Sequence, residues 1–453
     1  MFLDNLKGKR KFYAYKLSIF LIIAFFTFFL TYVHFTYNEN VLLGLRKIME
    51  SQSILITDFL VVGGIGGGFL NAFLILFLNF SIIKILKIEI SGIVLASLFT
   101  VFGFSFFGKN ILNILPIYIG GIVYSKYEGI PFRDIFIRIS FATALAPFIS
   151  EIAFSTNSFE FSYINGIMFG IFIGFIIIPL AKKMKSFHEG YDLYNMGFTA
   201  GILGTILNSI LKSYGFNVAS RKILSKEYDF TIKLICCFIF LIFLVIGFFI
   251  NNYSFKGYKE LIKDPGLEAD FINNYGYGLT FLNMGIMGFV SIGFVMIFNE
   301  PLNGPMLAGI FTIVGFSAHG KTYLNTIPIL IGVSLAGLTG TNFNSFTIVL
   351  SGLFGTSLAP ISGVFGIFWG IVAGWLHLTV VTTIGTIHGG LNLYNNGFSA
   401  GIVAGFLLPI LRTLNERAAK KELKFFKKRK EIIKLIHSKK VKPNDFKNIE
   451  DKL

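Results

Sequence analysis

The chain has 453 residues, 54% of them hydrophobic and only 14% charged, with a mean hydropathy of +0.71. A soluble protein carries about 25% charged residues, so a soluble domain is excluded and an integral membrane protein is implied. The net charge is +16, yet fifteen Lys/Arg against six Asp/Glu fall between Arg412 and Leu453 alone; such a segment beside a bilayer points to anionic lipid headgroups and not to nucleic acid.

Taken in order, residues 1–53 form a basic N-terminus and first span. Lys7, Lys9, Arg10 and Lys11 precede an apolar run from about Leu17 to Val33, which is long for a signal peptide and lacks a small-x-small cleavage site, so it reads as a retained anchor. With the basic tail at the other end, the Lys/Arg bias places both termini on the cytoplasmic side of an inner membrane. A first unit, 54–211, opens with Gly63, Gly64, Gly66, Gly67 and Gly68. Glycine at this density either lets helices approach closely or marks a break.

Residues 91–124 are too long for one crossing. Divided at Gly108-Lys109-Asn110, each half is short. Spans at 134–155 and 161–181 follow, then Lys182, Lys183 and Lys185, then a stretch running to Leu211. Residues 212–274 hold a basic loop, a connecting span near 231–251 and a polar loop. Cys236 and Cys237 are neighbours inside that span and read as small apolar side chains, with no disulfide framework or cysteine metal site. A second unit, 275–411, has spans near 276–298, 304–319, 322–339, 344–362, 364–383 and 391–411. Residues 412–453 are the basic tail, where Ala419, Leu423, Phe426 and Ile433 share a face of an amphipathic cytoplasmic helix.

Three motif pairs tie the units together. His188 to Ile202 returns as His388 to Ile402, with His, Gly, Leu, Tyr, Asn, Gly, Phe, Ala, Gly and Ile in identical places. Gly103-Phe104-Ser105-x-x-Gly108-Lys109 returns as Gly315-Phe316-Ser317-x-x-Gly320-Lys321, and Leu145-Ala146-Pro147 as Leu358-Ala359-Pro360. The fold class is therefore all-α integral membrane, with about 12–14 spans in two internal repeats and broken or re-entrant helices. Parallel and inverted repeats both remain open. Interrupted apolar segments at corresponding places in two repeats point to a transporter's binding site.

The candidate solute-binding residues are those of the breaks, Lys109, Asn113, Lys321 and Asn325, and those opening the signature helices, Tyr194, Asn195, Tyr394 and Asn395. A lysine between apolar runs must reach water, pair or face a pathway; as an interface anchor it would instead snorkel. The Tyr and Asn residues sit where helix N-termini favour electron-rich atoms, or they cap those helices. His188, His319, His388 and Glu300 are candidates for proton or ion coupling, Glu300 because Pro301 and Gly304 mark a break beside it. No nucleotide loop, zinc motif or nucleophile elbow occurs, so catalytic and metal residues, cofactors and enzyme activity are not expected.

At the signature and Gly-Phe-Ser-x-x-Gly-Lys motifs the chain resembles a bacterial family of multi-spanning membrane proteins of unknown function. Asn299-Glu300-Pro301-Leu302-Asn303-Gly304 and Gly390-Leu391-Asn392-Leu393-Tyr394-Asn395-Asn396-Gly397 also look similar to runs in the urea transporters, a likeness that implies two inverted halves. The expected function is a transporter or channel for a small polar or anionic solute, its pathway between the repeats; the alternative is a non-transporting membrane enzyme or assembly scaffold. The expected partners are the solute and membrane lipid, with a homo-oligomer left open.

Overall fold

Backbone in lipid satisfies its hydrogen bonds only within helices or closed barrels, and in the computed structural model the described residues form helices joined by turns and loops, with two isolated β-bridges. Those residues are 29–414 other than 30, 55, 155–161, 217, 219–221, 342 and 385–386. Most of the expected first span, and the amphipathic tail helix, lie outside the described residues.

After α1 (residues 31–37) and α2 (Val41–Met49), the first unit supplies α3 (Phe59–Ile85), α4 (Gly92–Phe104), α5 (Ile111–Glu128), α6 (Phe132–Ala142), α7 (Ala146–Phe154), α8 (Ser162–His188) and α9 (Asn195–Ser213). The connecting helices are α10 (Asp229–Ile250) and α11 (Tyr258–Ile262). The second unit repeats the series as α12 (Phe271–Ile297), α13 (Gly304–Phe316), α14 (Tyr323–Thr339), α15 (Ser345–Gly355), α16 (Ala359–Phe365), α17 (Ile367–Ile384) and α18 (Asn395–Leu414). Among the described residues eight helices are long and apolar enough to cross a membrane, with α6–α7 and α15–α16 each forming one rod, while α4, α13 and α14 are apolar but shorter.

The glycines of the first unit serve both roles expected of them. Gly44 and Gly63 bring α2 and α3 together so closely that a methyl group on Gly44 would stand 2.1 Å from the Gly63 carbonyl. Gly64, at φ 72°, breaks α3, and its counterpart Gly276, at φ 83°, breaks α12 at the same place. The Glu39 carboxylate accepts the freed N–H groups of Ile65 and Gly66 at 3.1 and 2.8 Å.

The two units are inverted. Asp58, the N-cap of α3, accepts from the Gly304 N–H at the start of α13, beyond the C-terminal end of α12. Asp270, the N-cap of α12, accepts from the Gly92 N–H at the start of α4 at 3.0 Å, beyond the end of α3. Each long helix thus begins where its counterpart ends. α4 and α13 lie antiparallel at the centre, where Cβ atoms on Gly103 and Gly315 would fall 2.9 and 3.0 Å from the Cα atoms of Ala308 and Ala96.

Within each unit the short helices make a hairpin. The Asn71 amide of α3 donates to the turn between α4 and α5, at Ser105 and Lys109. Two turns along α3, Asn79 accepts from Tyr118 of α5 at 2.8 Å and from Ser140 at 3.0 Å, while Ser97 of α4 donates to Ser140 at 3.0 Å. Residues 97 and 118 share one level and residues 105–110 another, so α4 and α5 run in opposite directions from a common tip. Such polar links between helices in lipid are each worth about 0.6 kcal/mol on average.

Candidate functional site

The tips are built by asparagine and glycine. Ending α4 at Phe104 leaves carbonyls that the next turn of helix would have taken, and Asn71 Nδ2 donates to the one at its C-cap, Ser105 O at 2.7 Å, and to Lys109 O beyond the turn at 2.8 Å. Asn283 does the same for Ser317 O and Lys321 O, at 2.8 Å each. Gly108 at φ 84° and Gly320 at φ 102° make the turn, a backbone region that side chains with a Cβ avoid. Asn113 and Asn325 close it, donating to Gly108 O and Gly320 O at 3.0 and 2.9 Å and accepting the N–H of Asn110 and Thr322 at 2.9 Å. Both asparagines are thereby committed to the tip.

The lysines of the tips cross to the opposite unit. Lys109 Nζ donates to the Tyr394 hydroxyl at 2.6 Å, and Lys321 Nζ donates to the Tyr194 hydroxyl and to Thr356 Oγ1, the latter at 2.7 Å. Each ammonium also lies over an aromatic face, Lys109 at 4.6 Å from the Tyr394 centroid and Lys321 at 4.4 Å from that of Tyr194. Both lysines are 0% exposed, so neither snorkels to the interface.

Two further contacts hold the tyrosines. The 3₁₀ turns Thr143–Leu145 and Thr356–Leu358 interrupt the α6–α7 and α15–α16 rods just before Pro147 and Pro360. Their carbonyls receive the signature loop of the other unit, Leu393 N–H to Ala144 O and Leu193 N–H to Ser357 O, each at 3.0 Å. Tyr194 N–H then donates to Asp192 Oδ1 at 2.9 Å and Tyr394 N–H to Asn392 Oδ1 at 3.0 Å. α9 and α18 cross at Gly197 and Gly397, where a Cβ on either would meet the Cα of the other at 3.0 Å. All three repeated motifs thus converge on one junction.

Above the tyrosines lies a cavity of about 430 Å³. Exposed Arg138, Lys182 and Lys185 line its mouth, and buried Tyr194 and Tyr394 line its floor between Phe104, Phe141, Phe316 and Phe354. Lys185 pairs with Glu268 at 2.5 Å. Lys109 and Lys321 stand behind the tyrosine rings, outside the lining. Asp192 acts electrostatically on Lys321; the corresponding residue on the Lys109 side is neutral Asn392, and among the described residues no carboxylate acts on Lys109.

The remaining candidates divide. His188 and Asn195 line the cavity and bond one another at 3.0 Å, and His319 lines it too. His388 is buried against Gly201 O at 3.0 Å, and Asn395 is buried at the start of α18; neither lines the cavity. Glu300 accepts from Ser345 in the loop between α12 and α13, away from the cavity. Asn71, Asn283, Arg138 and Asn396, the last paired with His377 at 3.1 Å, were missed by sequence reasoning. Asn71 and Asn283 had a signal, since each stands 38 residues before its lysine. Among the described residues no group of three or more His, Cys, Asp and Glu is placed to hold a metal ion.

Inverted helical units, interrupted where polar side chains meet over an internal cavity, define a multi-pass helical membrane protein. The chain belongs to the family described as "Protein of unknown function (DUF1576)", matched over residues 37–213 and 250–413. No curated protein and no solved structure matches it.

Proposed function

We propose that the protein is a transporter or channel for a small polar or anionic solute, with no enzymatic activity of its own. The observation that carries this reading is the cavity floor, where Tyr194 and Tyr394 come one from each unit and each covers a buried lysine of the other. A binding site at the interface of inverted repeats is where alternating access needs it. The α4–α5 and α13–α14 hairpins act as re-entrant segments entering from opposite faces, their irregular turns buried in protein as lipid requires. Lys182, Lys183 and Lys185 support a cavity mouth on the cytoplasmic side of an inner membrane, with both termini on that side.

The test is uptake into proteoliposomes of a panel of labelled carboxylates, inorganic phosphate and urea, with Lys109→Ala, Lys321→Ala and Tyr394→Phe beside the unaltered protein. Loss of uptake in the variants is expected. Flux unchanged in all three removes these residues from the pathway, and no uptake of any solute by the unaltered protein sinks the reading.

A further inference from the structure

We infer that the solute is an organic anion with one acidic group on an apolar body, held by the Tyr394 hydroxyl. The inference rests on the transport reading above and narrows its substrate.

The charge comes first. Arg138 and Lys182 at the mouth make no ion pair with a carboxylate among the described residues; Arg138 donates only to the Asp134 carbonyl, at 3.1 Å. Two carboxylates also line the cavity, but Glu268 pairs with Lys185 and Asp192 acts on Lys321, so Arg138 and Lys182 leave the mouth positive and concentrate anions there. Deeper in, the geometry of the Lys109–Tyr394 contact sets a direction. Lys109 Nζ donates in the 2.6 Å bond and the Tyr394 oxygen accepts, which leaves the tyrosine its own proton to give. A hydroxyl already accepting from a cation is polarised into a stronger donor. Tyr394 lines the cavity, and its proton has no protein acceptor among the described residues, whereas the Tyr194 hydroxyl is hydrogen-bonded to Thr356 as well as to Lys321. Of the two tip lysines, the one with no carboxylate acting on it among the described residues therefore sits behind the tyrosine whose proton is left to donate. A bound anion supplies the negative charge that favours the ammonium form of Lys109.

The body follows from the walls. Phe104, Phe141, Phe316 and Phe354 enclose the floor, and ligand sites of this kind bind by apolar contact while a few polar groups fix orientation. A cavity of about 430 Å³ has room for a ring or short alkyl chain beyond the acidic group. A fully hydrated inorganic anion would leave these rings facing its water shell.

The probe is benzenesulfonate, which stays ionised and does not leak through lipid as a neutral acid, compared with inorganic sulfate and neutral benzenesulfonamide. Binding to the full-length protein in detergent is read from the ligand-induced shift in thermal unfolding. Benzenesulfonate is expected to bind at least tenfold more tightly than either comparator. Tyr394→Phe, which keeps the ring, should weaken it roughly ten- to hundredfold through the lost hydrogen bond to a charged group, and Tyr194→Phe should weaken it less. Sulfate binding as tightly as benzenesulfonate overturns the apolar body, and sulfonamide binding as tightly overturns the anion. Equal losses in the two tyrosine variants overturn the assignment to Tyr394. In each of these cases uptake of another solute in the vesicle assay leaves the transport reading standing; its absence removes both.

Discussion

Replacing Lys109 and Lys321 by Met, one at a time, separates two roles that the pseudo-symmetry would otherwise make equal. Both ammonium groups are fully buried, and holding an ion away from water costs several kcal/mol unless opposite charge and hydrogen bonds offset it. Lys321 has the Tyr194 and Thr356 hydroxyls and the electrostatic pull of Asp192. Lys109 has the Tyr394 hydroxyl and two ring faces, with Asn392 where an acid would stand. Methionine fills a similar volume without charge. At Lys109 it removes the ion without stranding another, a gain of about 1–4 kcal/mol, set against a charge-assisted hydrogen bond of about 1.5–3 kcal/mol. The two nearly cancel, so the unfolding free energy should change by no more than about 2 kcal/mol in either direction. At Lys321 the same change strands the Asp192 carboxylate. Breaking a direct buried pair costs roughly 3–5 kcal/mol; Asp192 faces Lys321 without direct contact, so the loss should be about 2–3 kcal/mol. Unfolding midpoints of the purified full-length protein, with chemical denaturation to set the scale, measure the difference. Adding Asp192→Asn to Lys321→Met should restore most of the loss. Equal losses at the two lysines, or no recovery in the double variant, refute the claim that Asp192 balances Lys321.

Asn71→Ala and Asn283→Ala each strand two tip carbonyls, and at roughly 1–3 kcal/mol per unsatisfied group each should destabilise its own hairpin. Hydrogen exchange should quicken at 105–110 in the first variant and at 317–322 in the second, without crossing over. Gly197→Leu should push α9 from α18 and give an aggregated protein on size exclusion, whereas Gly197→Ala, whose methyl meets the Gly397 Cα at 3.0 Å, should stay monodisperse with a small loss of stability. In a background with Cys236 and Cys237 changed to Ser, Lys182→Cys and Asn344→Cys should react with an impermeant maleimide from opposite faces of the membrane. Labelling of both from one face refutes the inversion.

Much of the junction was legible because its three motifs are duplicated, and duplication shows in a single sequence. The breaks at Gly108 and Gly320 stood out since an apolar run twice the bilayer thickness must turn or stop. The direction of the repeats was not legible. Counting crossings decides parity only if each apolar segment crosses, and a hairpin that returns to its own side adds two segments and no crossing. Asn113 and Asn325 looked like ligand groups because a capping amide and a binding amide are the same residue in sequence; only their bonds to Gly108, Gly320, Asn110 and Thr322 tell them apart. The crossing of Lys109 to Tyr394 spans 285 residues, and nothing local in the chain announces it. Glu300 drew notice through its Pro and Gly neighbours, which mark the end of α12 and the Asn303 cap of α13.

The same junction bears on whether the molecule moves a solute or merely holds others in place. A rigid scaffold gains nothing from a buried ion without a counter-charge, since an apolar residue of equal size packs there at no electrostatic cost. Lys321 fits a scaffold well enough, as Asp192 and Thr356 accompany it. Lys109 does not. Its amine is held in place by a tyrosine that also walls a cavity open toward basic side chains, and removing it should leave the fold intact. If stability does not require that group, the proposed transport function gives it a use, at the contact between two inverted units, when an anion enters. On that argument the stability of Lys109→Met and its loss of solute binding are one prediction: a variant that folds as well as the original and still binds benzenesulfonate unchanged would return the junction to the scaffold reading.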